Sequence, residues 1–175
     1  MSERRFILSG ILFLSLLTGP CGYRRAQMSL PDHIRTLAIP AFHNTSVQYR
    51  VEHRFTQAVI EEFLRRTRRV RITSDPEQAD AVLLGDIRAL TYRGVVLDEL
   101  GRVRVYEIAV TVGVTLRDLT RHAILFDHPR FVFRGEYEIP EGPESLFAEE
   151  GPALDRLARE FARSLVSLIL SGAGR

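Results

Sequence analysis

The chain has 175 residues and 45% hydrophobic content, which allows one domain of ordinary size once any export signal has been removed. Its 24 basic residues, all arginine, nearly balance 22 acidic ones to a formal charge of +2, which excludes a polybasic nucleic-acid-binding protein. A single cysteine, Cys21, excludes an intrachain disulfide and a cysteine-rich metal site.

The N-terminal residues have the layout of a secretory signal. Arg4 and Arg5 precede an apolar run at residues 6–17, and three further residues lead to Cys21. The run is too short to cross a bilayer comfortably as a permanent helix, so we expect residues 1–20 to be a cleaved signal peptide. A lone cysteine at this place resembles a lipoprotein signal, in which the cysteine receives a diacylglycerol and an N-acyl lipid. The other interpretation is a plain signal peptide that happens to contain a cysteine.

Residue 22 is a glycine and not an aspartate. By resemblance to the lipoproteins of two-membraned bacteria, this favours delivery to the outer membrane, with the protein lipid-anchored and facing the periplasm. We expect residues 21–33 to form the lipidated tether, residues 34–171 a single domain, and residues 172–175 a flexible C-terminus.

The first half of the domain predicts a strand, a helix and a second, brief strand. Residues 34–39 form an apolar run closed by a proline, as in a buried strand. Between residues 47 and 63 apolar side chains recur every three or four positions, which predicts a helix with one buried face. Asn44 or Ser46 is placed to cap its start, and residues 70–72 follow as the brief strand.

The second half predicts three longer strands and a closing helix. The strand at residues 81–92 leads through a hairpin at 95–101 to a return strand at 106–116, in which apolar and polar side chains alternate. A further strand covers residues 123–137. The closing helix has an apolar stripe at Leu154, Leu157, Phe161, Leu165 and Leu168. This order predicts an α+β fold, a two-layer sandwich with two helices packed on one face of a mixed sheet of about four strands.

Two ion pairs are also predicted. Asp155 and Arg159 have the i,i+4 spacing that brings side chains together on one helix face. Asp86 lies within an apolar strand and needs a partner such as Arg88, which indicates an ion pair on the sheet face.

No site for enzyme chemistry emerges from the sequence. The glycines do not cluster as a phosphate-binding loop, and no nucleophile elbow is present. The histidines are scattered without the spacing of a zinc hydrolase: His33, His43, His53, His122 and His128. We therefore predict a binding protein that is not an enzyme, with no metal and no cofactor besides the lipid on Cys21.

The densest basic run comprises Arg65, Arg66, Arg68, Arg69 and Arg71. One interpretation is a surface that docks on anionic lipid or phosphate. The other is that arginines in a last helical turn complement the helix dipole and lie in an exposed connection.

The order of several short patterns resembles the lipopolysaccharide-assembly (LptE-like) lipoprotein family. The resemblance begins near the lipidated cysteine and extends to the closing helix. In chain order the matching features are Cys21-Gly22-Tyr23, Leu30-Pro31, the strand end Ala38-Ile39-Pro40 with Asn44-Thr45 beyond it, the helix at residues 52–63, Ala79-Asp80-Ala81 entering the strand to Gly85, the strand at 106–116, and the closing helix after Glu149-Glu150.

This resemblance implies a plug inside a large outer-membrane β-barrel of the lipopolysaccharide-export machinery. The protein would bind lipopolysaccharide and assist its assembly at the outer leaflet, without covalent chemistry and without nucleic acid. We expect Arg93, Arg102 and Arg104, gathered on one hairpin, to contact the ligand's phosphates. The other interpretation of these arginines is ordinary pairing with Glu107 or Asp98.

A different role would share the signal, the size and the fold class. A periplasm-facing lipoprotein that is an accessory to a cell-wall synthase or to an export complex has the same sequence features, and the identity of the partner distinguishes the two.

Overall fold

The computed structural model describes residues 30–138 and 145–172. Residues 1–29, which hold the predicted signal peptide, Cys21 and most of the predicted tether, lie outside the described residues. The same is true of residues 173–175 at the predicted flexible C-terminus.

The described residues form six strands and two helices. The strands are β1 (Thr36–Ala38), β2 (His43–Asn44), β3 (Arg71–Thr73), β4 (Ala81–Leu97), β5 (Val103–Asp118) and β6 (Ala123–Glu138). The helices are α1 (Val51–Arg66) and α2 (Ser145–Ser171), and a single 3-10 turn covers Pro76–Gln78.

All six strands belong to one mixed sheet in the order β3-β1-β4-β5-β6, with β2 paired to β4 further along than β1. β1 is parallel to β3 and β4, β2 is parallel to β4, and the long strands β4, β5 and β6 are antiparallel. The predicted α+β class is confirmed, with six strands in place of about four. β2 has two residues, too few for an alternating pattern to be recognised in a sequence, whereas the brief strand predicted at residues 70–72 is present as β3.

α1 forms because its apolar residues recur at helical spacing, and it buries that face against the sheet. Phe55, Val59 and Phe63 are completely buried. Burying each of these side chains contributes roughly 2–3 kcal/mol. The pattern does not extend to Val47, which is 98% exposed and lies before the helix.

The predicted capping of α1 by Asn44 or Ser46 is wrong. The helix begins after Arg50, a left-handed residue with φ 61°, and no side chain caps it. Asn44 instead holds the preceding loop together, because its Oδ1 accepts from the Ser46 amide at 2.9 Å and its Nδ2 donates to the Gln48 carbonyl at 2.9 Å. These polar residues therefore order the loop before the helix, but no side chain accepts a capping hydrogen bond from the amides of its first turn.

α2 supplies the other half of the helical layer, and its side chains are described from residue 150 onward. Phe161 is completely buried and packs edge-on against Phe55 of α1, with ring centroids 5.2 Å apart. Phe131 and Phe133 of β6 contact the same ring at 5.6 and 6.3 Å. This aromatic cluster joins both helices to the sheet and confirms the apolar stripe predicted for the closing helix.

The predicted pair between Asp155 and Arg159 is wrong, whereas the pair between Asp86 and Arg88 is confirmed. The Asp155 carboxylate bonds Arg54 on the neighbouring helix. Arg88 Nε lies 3.0 Å from Asp86 Oδ2 on the sheet face. Two helices packed side by side offered Asp155 a partner that the local spacing could not reveal.

The sandwich has two distinct ends. The entry end comprises residues 30–35, 65–71 and 118–122, which meet where β1 and β3 begin and β5 ends. The hairpin tip, residues 95–104, lies at the other end of β4 and β5. The described part of the predicted tether, residues 30–33, lies at the entry end, and the hairpin tip lies at the opposite end of the long strands.

Candidate functional site

The turn of the hairpin tip is organised by one aspartate. Asp98 Oδ1 accepts hydrogen bonds from the amides of Leu100 and Arg102, both at 2.9 Å. Gly101 has φ 75°, a left-handed conformation that suits glycine. The predicted hairpin is confirmed, and its strands extend closer to the turn than the alternating pattern had indicated.

Arg102 is held by the same aspartate. Its Nε donates to Asp98 Oδ2 at 2.7 Å, while 69% of its side chain stays exposed. The hydrogen bond from the Arg102 amide is the largest cause that lowers the pKa of Asp98; burial opposes it, and the bond from the Arg102 guanidinium and the amide of Leu100 lower the pKa further. The pair keeps the turn in one conformation and leaves the guanidinium at the surface.

Arg93 lies across the hairpin from Glu107. Its Nη2 is 3.1 Å from Glu107 Oε1, and Arg134 on β6 approaches the same oxygen at 4.0 Å. One carboxylate therefore serves two guanidiniums, of which Arg93 is 72% exposed. The side chains of Arg93, Glu107 and Arg134 thus form a row across β4, β5 and β6.

Arg104 occupies an irregular position in the ladder. Val96 pairs with Val105, but the next partners are Leu97 and Val103, so that Arg104 is skipped. An extra residue in one strand bends it and increases its twist. Arg104 therefore lies where the regular register of β4 and β5 is interrupted.

The structure thus gathers the three predicted ligand-binding arginines on one hairpin, and it also forms the pairs that were the other interpretation. Arg93 bonds Glu107 and Arg102 bonds Asp98. Contact with a ligand remains a prediction for all three.

Apolar side chains at the hairpin tip were missed by sequence reasoning. Leu100 is 76% exposed, Leu97 61% and Val96 49%, and the three line an open cleft of about 630 Å³ together with Arg102 and Arg104. Turns are ordinarily polar, so Leu97 and Leu100 on either side of Asp98-Glu99 were the sequence signal that could have revealed this apolar surface. Asp98, Glu99 and Glu138 line the same cleft, so exposed apolar surface lies beside both cations and carboxylates.

A hydrogen-bond network anchors the hairpin to α2. The Tyr92 hydroxyl donates to Glu150 Oε1 at 2.7 Å, and Gln48 Nε2 donates to the same oxygen at 3.2 Å. Burial, together with this acceptor, raises the pKa of Tyr92 well above its usual value. The hairpin is therefore tied to the helical layer where it leaves the core.

The remaining polar clusters have structural partners. His43 Nδ1 lies 3.3 Å from Asp86, whereas His53 contacts Glu52 at 3.5 Å, so each histidine has a separate carboxylate. Across residues 30–138 and 145–172, no group of three histidine, cysteine or acidic side chains is placed to bind a metal. Neither helix of this described part is sufficiently long and apolar for a membrane span.

The sequence profile of the family described as LptE, lipopolysaccharide-assembly, matches residues 34–169. The chain belongs to the lipopolysaccharide-assembly family. Members of this family are non-enzymatic lipoproteins that assist lipopolysaccharide transport, so the chain is not an enzyme. The family resemblance predicted from the short sequence patterns is confirmed.

Solved structures to which this chain is similar include other bacterial lipoproteins. A minor lipoprotein from Acinetobacter baumannii has a TM-score of 0.51 at 10% identity, over 80% of this chain and 95% of the other. A lipoprotein from Caulobacter crescentus has a TM-score of 0.49 at 18% identity, over 75% and 88%. Rare lipoprotein B from Shewanella oneidensis has a TM-score of 0.46 at 16% identity, over 79% and 92%. A search of curated protein sequences found no match.

Membership of the lipopolysaccharide-assembly family implies association with the transport machinery for that lipid. It does not identify which surface of this chain contacts lipid, because family membership rests on residues spread over the whole domain. The hairpin tip, where exposed leucines and arginines meet, is the candidate ligand site.

Proposed function

We propose that the protein is an outer-membrane lipoprotein that forms a plug-type complex with a β-barrel translocon and binds lipopolysaccharide. Cys21 would carry a diacylglycerol and an N-acyl chain that hold it on the periplasmic side of the membrane. The protein assists assembly of lipopolysaccharide at the outer leaflet by contributing a binding surface, not by covalent chemistry.

The observation that carries this proposal is the mixed character of the hairpin tip. Lipopolysaccharide presents phosphates and acyl chains side by side. Leu97 and Leu100 offer exposed apolar area, and Arg102 and Arg104 line the same cleft. A ligand with both chemistries matches this surface better than a purely polar or a purely apolar one.

The existing ion pairs do not prevent ligand binding. Arg93 and Arg102 keep 72% and 69% of their side chains exposed, although their partners Glu107 and Asp98 are only 18% and 17% exposed. Each guanidinium has five N–H donors, so a phosphate can accept hydrogen bonds from those that the carboxylate leaves unused. The carboxylates of Glu107 and Asp98 keep the guanidiniums of Arg93 and Arg102 oriented.

Contact with a barrel interior is supported by the sheet face that the helices leave uncovered. Its side chains include charged and hydroxyl groups such as Arg88, Arg134 and Thr115, the last of which donates to Asp127 at 2.8 Å. A polar face of this kind suits a hydrated lumen, where complementary charges set orientation more than affinity.

Partner identity is tested by affinity purification of a tagged copy from gently solubilised membranes. We expect a large β-barrel of the lipopolysaccharide-export type to remain bound in stoichiometric amount through washes with salt and mild detergent. Recovery of a peptidoglycan synthase or an inner-membrane transporter in its place would overturn the assigned function and leave the fold and family unaffected.

Ligand contact is tested by charge reversal at the hairpin tip. The variant Arg102→Glu with Arg104→Glu should lower lipopolysaccharide binding at least tenfold, since two attractive contacts become repulsive. A matched control reverses Arg130 and Arg156, two exposed arginines outside the hairpin. Equal binding by both variants would contradict the hairpin site.

A second variant separates the apolar contribution. Leu97→Ser with Leu100→Ser removes exposed apolar surface without altering charge. We expect weaker binding of intact lipopolysaccharide and unchanged binding of its deacylated form. If both forms lose affinity equally, the leucines do not contact acyl chains.

A further inference from the structure

The entry end concentrates positive charge in a way that the hairpin tip does not. Its three segments hold seven arginines and two carboxylates, of which Asp118 is 1% exposed. The hairpin tip, by contrast, has two arginines and two carboxylates. The charge asymmetry of this nearly neutral chain is therefore a property of its tertiary arrangement.

Neighbouring carboxylates at the entry end are already occupied by hydrogen bonds within the fold. Glu62 is 4% exposed and bonds Arg65 and Arg66. Asp80 accepts from the amides of Arg35 and Thr36 at 2.8 and 2.9 Å. Glu62 therefore compensates Arg65 and Arg66, whereas neither Glu62 nor Asp80 bonds the guanidiniums of Arg68 and Arg69.

The helix dipole accounts for only part of the basic run. α1 ends at Arg66, and Thr67 already has an extended backbone, with φ −117° and ψ 105°. Arg65 and Arg66 thus belong to the last turn, whereas Arg68 and Arg69 lie beyond it. The helix-dipole interpretation of the basic run therefore applies to Arg65 and Arg66, and the docking interpretation applies to Arg68 and Arg69.

The arginines beyond the helix remain accessible. Arg69 is 85% exposed, and its nearest carboxylate is that of Asp32, 3.8 Å away and itself 92% exposed. Arg68 is exposed too. Together with Arg35 they surround a cleft of about 160 Å³ that also contains Leu30 and Ile34. Cations around a small apolar depression resemble the surface of proteins that rest on lipid headgroups.

The position of this surface follows from the length of the chain before it. Eight residues separate Cys21 from Leu30, which is buried in the core at 8% exposure. Even fully extended, the nine steps from one to the other span roughly 30 Å. An anchor at Cys21 therefore keeps the entry end within that distance of the membrane surface.

We infer that the entry end is a docking surface for the anionic phospholipid headgroups of the membrane in which Cys21 is anchored. The inference rests on the lipidation of Cys21 contained in the proposed function. Guanidiniums of Arg68, Arg69, Arg35 and Arg121 contact headgroup phosphates, and the acyl chains on Cys21 supply the remaining affinity. Docking at this end orients the sandwich so that the hairpin tip points away from the leaflet that carries the anchor.

The test measures vesicle binding without the anchor. The chain from residue 21 onward, which retains every residue that the structure describes, carries Cys21→Ser so that no acyl chain contributes. We expect it to float with phosphatidylethanolamine vesicles that contain phosphatidylglycerol and not with phosphatidylcholine vesicles. Sodium chloride at about 0.5 M, where the Debye length falls to roughly 4 Å, should release it. Equal binding to both vesicle types would overturn the inference.

Variants locate the surface. Each exposed arginine near an anionic membrane contributes roughly a fivefold factor, so Arg68→Gln with Arg69→Gln should lower binding about 25-fold. Arg130→Gln with Arg156→Gln removes the same charge elsewhere and should change binding less than about twofold. Arg121→Gln, on a different segment, gives an independent decrease of roughly fivefold. Unchanged vesicle binding by both entry-end variants contradicts the inference.

Affinity purification, combined with vesicle binding, distinguishes a failure of membrane docking from a failure of the proposed function. Loss of barrel recovery by Arg68→Gln with Arg69→Gln, with vesicle binding intact, would assign the surface to the barrel and overturn membrane docking. Failure to recover any barrel, with normal vesicle binding, would overturn the plug function and leave membrane docking in place.

Discussion

His33 Nε2 lies 2.6 Å from Oδ2 of Asp118, a residue 85 positions later in the chain, and the Asp118 side chain is 1% exposed. The other carboxylate oxygen accepts from the Thr120 hydroxyl at 2.7 Å and from the amides of Thr120 and Arg121 at 2.9 Å. Asp118 thus ties the last residue of the predicted tether to the turn between β5 and β6. Burial alone would raise its pKa, but these hydrogen bonds outweigh it and hold the pKa of Asp118 well below the usual value.

Acid should destabilise the fold through this carboxylate. A folded-state pKa below the unfolded value of about 3.9 means that the stabilisation is fully present above that value and is lost as the pH falls below it. Asp80 and Asp86 also have lowered pKa values, from backbone amides and from Arg88 respectively, and act in the same direction. Urea unfolding should give a free energy that is nearly constant above about pH 5 and decreases below about pH 4.

Asp118→Asn should lower the free energy of unfolding at pH 7 by about 2–4 kcal/mol, because buried donors lose a charged acceptor. The slope of stability against pH below 4 should also become shallower. Asp127→Asn, at an exposed position, is the control and should change stability by less than about 0.5 kcal/mol. An unchanged acid slope in Asp118→Asn would show that other groups dominate acid unfolding.

Phe161 should be among the most sensitive core positions. Its ring contacts Phe55, Phe131 and Phe133, so Phe161→Ala leaves a cavity shared by both helices and the sheet. We expect a loss of about 3–5 kcal/mol in chemical denaturation. Val47→Ala, at a 98% exposed position, should cost less than about 0.5 kcal/mol. Similar losses in the two variants would contradict the packing described for α2.

Gly85 should tolerate no side chain while Phe42 is present. A Cβ at Gly85 would lie 2.5 Å from the Phe42 ring, which is itself buried. Gly85→Ala should therefore cost about 1–3 kcal/mol. Combining it with Phe42→Leu should cost less than the sum of the single changes, which a double-mutant cycle measures. Additive losses would exclude a clash between the two residues.

Gly101→Ala is the matched comparison for Gly85. Nothing lies within 4 Å of a Cβ at Gly101, but its φ of 75° strains any other residue. We expect a cost of about 1 kcal/mol that Phe42→Leu does not change. The contrast separates steric contact from backbone strain.

Tyr92→Phe should loosen the hairpin with little effect on the rest of the fold. Loss of the 2.7 Å bond to Glu150 removes roughly 1 kcal/mol, which corresponds to about fivefold faster amide hydrogen exchange in the hairpin strands. Tyr49→Phe, at an 82% exposed residue, should leave exchange unchanged. If hairpin exchange is the same in both variants, Tyr92 does not anchor the hairpin to α2.

Several elements were predictable because their physical signals are local. The alternation along residues 106–116 and the three- and four-residue spacing in both helices depend only on which face of an element is buried. The pairing of Asp86 with Arg88 likewise joins residues on one strand face. Candidate ligand arginines were predictable as a group, because a hairpin brings its two arms together whatever the rest of the fold does.

Two local predictions failed because the residue concerned had another partner available. Asp155 was expected to bond Arg159, but Arg54 on the adjacent helix binds it. Asn44 and Ser46 were expected to cap α1, but they form hydrogen bonds within the loop before it. The partner of Asp155 is determined by the packing of two helices, which the sequence alone does not give, whereas Asn44 bonds residues only two and four positions away.

By itself the sequence determined the layered α+β class, the positions of the helices and long strands, and the family, because these follow from periodicity and from the order of short patterns. Only the tertiary structure decided that residues 30–35, 65–71 and 118–122 meet at one end. It also decided that Asp118 is buried there while the arginines around it are exposed. The physical reason is that local pattern sets which face of each element is apolar, whereas the charge of a surface depends on which segments the sheet topology brings together.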